Sequence, residues 1–130
     1  MTEQTTELTS SSSELCDTLI GLLEDGKGVD IIHLDVSKLT TITDFMVIVT
    51  GTSSRHVNAL AANTVSSMRD KGIRPRGLEG QESGEWVLLD FGDVIIHIMQ
   101  KTVRELYDLE GLWQSGFSEA LLKRAPDSAD

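Results

Sequence analysis

Apolar residues recur at helical spacing at Leu15, Leu19, Leu22 and Leu23, behind a Ser11/Glu14 pair that has the form of a capping box. The pattern predicts a helix from Ser12 to Glu24, ended by Gly26 and Gly28. Alternation then replaces helical spacing. From Val29 to Val36, Ile32, Leu34 and Val36 fall on one face and Ile31, His33 and Asp35 on the other, which is the period of a strand. Lys38–Thr43 connects it to a second strand, Asp44–Thr50. The unbroken apolar run from Phe45 to Val49 implies burial on both faces and a central place in a sheet.

Gly51 turns the chain toward a second helix capped by Ser53 or Ser54. Val57, Leu60, Ala61, Thr64, Val65 and Met68 mark its inner stripe, and Gly72 follows its end. A strand is expected over Ile73–Gly77. Two more, Glu85–Phe91 and Val94–Met99, flank Gly92-Asp93, a tight-hairpin signal. Thr102 with Glu105 makes a second capping box and predicts a short helix over Val103–Asp108. The order α-β-β-α-β-β-β-α describes an α/β or α+β sandwich, a mixed five-stranded sheet flanked by helices.

At 130 residues there is room for one domain. Residues 1–13 are Thr, Ser, Glu and Gln with little apolar content, so they are expected to be a disordered extension. They have neither the basic start and apolar stretch of a signal peptide nor the arginines of a transit peptide. Residues 14–124 form the domain, and 125–130 a flexible tail. No apolar run approaches the roughly 20 residues of a membrane span. The single cysteine, Cys16, excludes an intramolecular disulfide framework and fits a cytoplasmic setting.

Net charge is −10, and its distribution matters more than its total. Five bases and one acid lie between Arg55 and Arg76; nine acids and two bases lie between Glu79 and Glu119. An acidic chain is poorly suited to broad phosphate-backbone binding and better suited to a basic protein partner. The basic segment, with Arg69, Lys71, Arg74 and Arg76, has no aromatic residue on which bases could stack, so no tight RNA binding is expected. Trp86, Phe91, Tyr107, Trp113 and Phe117 all fall in the acidic stretch; Phe45 alone lies elsewhere. Trp86 opens a strand and Tyr107 ends a helix. A ring with a polar handle there suits either core packing or the half-wet centre of an interface.

Catalytic patterns are incomplete. Asp90-Phe91-Gly92 matches a kinase triplet, but the other kinase elements are missing and a hairpin glycine explains it. Gly51-Thr52-Ser53-Ser54, between a strand and a helix, is similar to the Gly-Ser opening of nucleotidyltransferases. Those enzymes need two carboxylates one residue apart for their metals. Asp70 is the only acid within the next twenty residues, and Asp108/Glu110 lies after a different element. His33 and His97 fit sheet faces with hydrogen-bonded rings, His56 opens a helix and is expected to be exposed, and Cys16 fits a small buried position. No catalytic residue, metal ligand or cofactor is expected.

Three stretches carry a resemblance. TTITDFMVIVTGTSSRHV (Thr40–Val57), LEGQESGEWVLLDFGDVIIHIM (Leu78–Met99) and VRELYDLEGLW (Val103–Trp113) are together similar to the ribosomal silencing factor, or Iojap, family, over residues 14–113. The resemblance implies a nucleotidyltransferase-like fold without the catalytic carboxylates. It implies docking on large-subunit ribosomal protein fourteen, where the small subunit joins, so that translation is repressed when nutrients fall. It also implies a link to large-subunit assembly, and homodimers occur in the family. The family's partner-contacting residues correspond here to Trp86, Tyr107, Asp108, Leu109 and Glu110.

Overall fold

The computed structural model describes the backbone of residues 2–114 and the side chains of residues 12–113. The tail expected from 125 lies outside the described residues. The elements are α1 (Thr2–Asp25), β1 (Val29–Asp35), β2 (Phe45–Gly51), α2 (Ser54–Asp70), β3 (Gly77–Glu79), β4 (Trp86–Asp90), β5 (Val94–Gln100), α3 (Lys101–Tyr107) and α4 (Leu109–Gln114).

The five strands form one mixed sheet in the order β1-β2-β5-β4-β3. β2 and β5 run parallel, and the other neighbours are antiparallel. β2 is an interior strand, as its apolar run requires, and β5 lies at the centre. Register divides the side chains between two faces. Val47 and Val49 lie beside Ile96 and Ile98, which in turn lie beside Leu89 and Val87. This face packs on α1 and α2 through Leu19, Leu23, Leu60 and Met68, all fully buried. The six residues expected on the inner stripe of α2 are its buried ones. Thr64, polar yet fully buried, satisfies its hydroxyl by donating to the Leu60 carbonyl at 2.7 Å.

The opposite face carries Met46, Ile48 and Thr50 on β2, Ile95, His97 and Met99 on β5, and Trp86 and Leu88 on β4. Only part of it is covered. Leu109 and Trp113 of α4 pack on Val36, Met46 and Ile48, while Trp86, Leu88 and Ile95 stay half-buried. Trp86, one of the contact residues that the resemblance implies, lies on this uncovered part of the sheet.

Four local expectations are corrected. The third strand is Gly77–Glu79, not Ile73–Gly77. Ile73 N–H is used to end α2, donating to the Met68 carbonyl at 2.9 Å while Gly72 donates to Arg69, a Schellman arrangement. Pro75 then has no N–H for a ladder. α1 begins before Ser12, so Ser11 is not its cap, and Ser12 Oγ instead donates to Asp44 Oδ2 at 2.9 Å. α3 begins at Lys101 with Gln100 as its N-cap and no side-chain cap, in place of the Thr102/Glu105 box. The Gln100 side chain is drawn away to the Gly84 carbonyl, 2.9 Å distant. Finally, α4 was not foreseen. Asp108 (φ 46°) breaks the helical path after Tyr107, and its Oδ1 accepts from Gly111 N–H at 3.2 Å, starting a new helix.

The hairpin signal is realised. Phe91 N–H donates to the Val94 carbonyl at 2.9 Å, and Gly92 takes φ 88°, which a glycine adopts without steric cost. Asp90 Oδ1 accepts from Gly92 N–H at 2.7 Å and closes the turn.

Candidate functional site

Trp86 is the first residue of β4 and lies opposite fully buried Met99 of β5. Its indole N–H donates to Nδ1 of His97 at 3.0 Å. The Tyr107 ring packs on it with centroids 4.9 Å apart and planes tilted by 51°. Such a tilted pair contributes about 1 kcal/mol beyond the area it covers. The strand and the end of α3 thus bring the two rings into contact. Tyr107 is 50% exposed and its neighbour Leu106 77%. Beside Trp86 and Leu88, Glu79 and Gly80 line a shallow groove. The result is an apolar patch with one anchored indole, one open phenol and acidic residues at its margin.

The other three residues implied by the resemblance have different surroundings. Asp108 is exposed at the α3–α4 corner, its Oδ1 engaged by Gly111 N–H. Leu109 turns inward against the β1–β2 end of the sheet. The Glu110 carboxylate receives Arg104 Nη2 at 3.0 Å and Nε at 3.2 Å. Arg104 is buried, and its remaining arm donates to Thr50 Oγ1 at 2.8 Å. Sequence reasoning passed over Arg104. Its one signal was a base standing alone among acids in the RELYDLE segment.

A polar cleft opens where the parallel strands β2 and β5 end, lined by Asp30, Thr50, Lys101, Arg104, Glu105 and Asp108 among others. Ligands of open α/β sheets favour that position. Here the guanidinium is already engaged, and among the described residues no three His, Cys, Asp or Glu side chains are grouped to hold a metal. The Gly51–Ser54 turn is likewise occupied. Ser53 Oγ accepts from His56 N–H at 3.0 Å, and Thr52 N–H donates to His56 Nδ1 at 2.9 Å. With Nδ1 accepting, His56 donates from Nε2 to the Gly26 carbonyl at 2.9 Å, so the ring is half-buried rather than exposed. The turn caps α2 and ties it to the end of α1.

His97 is buried at 7% exposure, and desolvation pushes its imidazole down to about 4, so the ring is neutral near pH 7. His33 is exposed and lies at a tilt to Phe45. Cys16 is buried, and burial followed by the Asp17 charge raises its thiol to about 11, which makes it unreactive. Among the described residues no helix is long and apolar enough to cross a membrane.

Known proteins are similar to this chain in sequence and fold. A family model described as "Ribosomal silencing factor during starvation" matches residues 9–129. A ribosomal silencing factor RsfS of Chromobacterium violaceum is 49% identical over 100 residues, covering 77% of this chain and 82% of that protein. A mouse protein named for mitochondrial assembly of the ribosomal large subunit is 35% identical over 100 residues, covering 75% of this chain and 44% of its own length. A crystal structure from Chromobacterium violaceum, 48% identical, matches with a TM-score of 0.77 over 78% of this chain and 85% of that one. A family match that spans nearly the whole sequence, on a fold shared with a close relative, leaves one assignment: the chain belongs to the RsfS family of ribosomal silencing factors.

Proposed function

We propose that the protein silences ribosomes by laying the Trp86–Tyr107 face on large-subunit ribosomal protein fourteen. As a non-catalytic ribosomal silencing factor it binds the large subunit and blocks its joining with the small subunit under starvation. The observation that carries the site is the paired, partly open rings of Trp86 and Tyr107 beside exposed Leu106. Aromatic anchors of this kind concentrate binding energy. The surrounding acids, Asp108 foremost, complement a basic ribosomal protein and speed its encounter. Leu109 and Glu110 act from beneath, fixing the corner that presents Tyr107 and Asp108.

Silencing then needs no chemistry. A bound body of 14.2 kDa occupies the space that the small subunit requires. The binding unit is residues 14–124, preceded by an N-terminal segment (1–13) whose residues 2–13 begin α1 and followed by a tail (125–130), and it acts in the cytoplasm, where subunits meet. The same contact made earlier in a subunit's life would serve large-subunit assembly. A homodimer would have to leave the Trp86–Tyr107 face free. The experiment is sedimentation of purified large and small subunits with and without the protein. We expect it to travel with large subunits and to reduce the joined particle; undiminished joining at saturating protein would refute the reading.

A further inference from the structure

We propose that His97 is a positioning residue, whose Nδ1 holds the Trp86 indole in the orientation that the docking face requires. The inference rests on the docking reading above.

His97 lies on the central strand β5, between Ile48 of β2 and Leu88 of β4. An aliphatic side chain would pack there without the desolvation that a histidine suffers. What the imidazole adds is an acceptor. The indole nitrogen can only donate, and Trp86 is half-buried, so its N–H needs a partner at that depth. His97 Nδ1 supplies it at 3.0 Å, with the two rings 5.8 Å apart. Accepting at Nδ1 places the proton of the neutral ring on Nε2. The indole is then fixed from two sides, by the hydrogen bond to His97 and by the Tyr107 ring. A side chain already held in its bound orientation loses less freedom on docking. Without the acceptor the indole turns its N–H toward water and its edge leaves Tyr107.

The test compares His97→Leu, which keeps bulk without an acceptor, with His97→Asn, whose amide oxygen falls near the Nδ1 position. Each is made in the native chain and in a Trp86→Phe background. Large-subunit affinity should fall about tenfold for His97→Leu and stay within about threefold for His97→Asn. In the Trp86→Phe background, which has no N–H to hold, His97→Leu should cost nothing further. Long-range proton–nitrogen spectra of the unmutated protein should read Nδ1 as unprotonated, and the Trp86 indole N–H resonance should shift in His97→Leu but not in His97→Asn. A protonated Nδ1 in the unmutated protein overturns the proposal whether or not a variant folds. A tenfold loss that persists in the Trp86→Phe background overturns it too. Full binding by His97→Leu beside lost binding by Trp86→Ala overturns this inference alone. Full binding by Trp86→Ala overturns the docking reading and this one with it.

Discussion

Arg104 Nη1 donates to Thr50 Oγ1 at 2.8 Å and thereby ties α3 to the end of β2. The rest of the same guanidinium clasps Glu110, so one buried side chain holds the sheet, α3 and α4 together. Tyr107 and Asp108 lie on the loop of chain between Arg104 and Glu110. Their presentation therefore depends on a cation that itself faces inward.

Arg104→Met should destabilise the fold by about 3 kcal/mol, because it leaves the Glu110 carboxylate without its counter-charge in a partly dry place. Thr50→Val removes one neutral acceptor and should cost about 1 kcal/mol. Urea unfolding of both variants measures this. If Arg104→Met unfolds with the unmutated protein, the corner is not held by that residue.

Tyr107→Ala should separate binding from folding. The ring is half exposed, so its loss should barely move the melting temperature, yet large-subunit affinity should fall by about 2 kcal/mol, roughly thirtyfold. Trp86→Ala should weaken binding at least as much and also melt earlier, since it removes a half-buried ring and leaves His97 without its donor. Co-sedimentation beside thermal unfolding reads both effects. A Tyr107→Ala variant that binds fully removes that ring from the site.

The two acids of the corner should part company in the same assay. Asp108→Lys should weaken large-subunit binding with a small change in stability, by setting like charge against a basic partner. Glu110→Gln should lower stability first, because its carboxylate serves Arg104. Equal effects of the two on melting would contradict this division.

The residues that sequence made legible are those whose neighbours are near in the chain. The α2 stripe and the Gly92-Asp93 hairpin follow from periodicity and turn chemistry alone, and the same chemistry narrowed the α2 cap to Ser53 or Ser54, of which the structure uses Ser53. Misreadings occurred at the ends of elements. The Gln100 side chain is taken by Gly84, sixteen residues away, so α3 starts without a side-chain cap; Ile73 N–H closes α2 on Met68 instead of opening a strand; and α1 already runs through Ser11, so no cap forms there. At the site, the residue types of Trp86 and Tyr107 suited core packing or an interface alike, the resemblance implied contact roles for both, and only the fold brings the two rings 4.9 Å apart. Arg104 was passed over because a buried arginine is recognisable by the acceptors around it, and Thr50 lies on β2, 54 residues away in the chain.

Gly80 sets the approach of β3 to Trp86. It takes φ 93°, and a Cβ there would overlap the Trp86 carbonyl oxygen. Gly80→Ala should cost at least about 2 kcal/mol, combining the backbone penalty with the displacement of β4. Large-subunit binding should fall with it if the proposed docking face is right, because the strand that moves carries Trp86. Near-native melting with near-native binding would show that the loop absorbs the methyl group and that Gly80 does not position Trp86.

The last expectation concerns acid. Burial holds the folded His97 imidazole at about 4, while an unfolded histidine titrates at 6.5. Between those values the unfolded chain binds a proton that the folded chain refuses. The contribution to stability is therefore complete above pH 6.5, is lost as pH falls toward about 4, and changes no further below. Over that window the loss from this one group approaches about 3 kcal/mol. Asp35, whose carboxyl is held below its ordinary range by hydrogen bonds from Ser37, acts at the acid end of the window and beyond it. The measurement is unfolding free energy against pH for the unmutated protein and for His97→Leu. The unmutated protein should lose stability more steeply between pH 6.5 and 4, by one proton, with the Trp86 indole N–H signal unchanged until the lower end of that range. Parallel curves for the two proteins would mean that His97 titrates alike in the folded and unfolded chain, and the buried neutral ring described here would then be wrong.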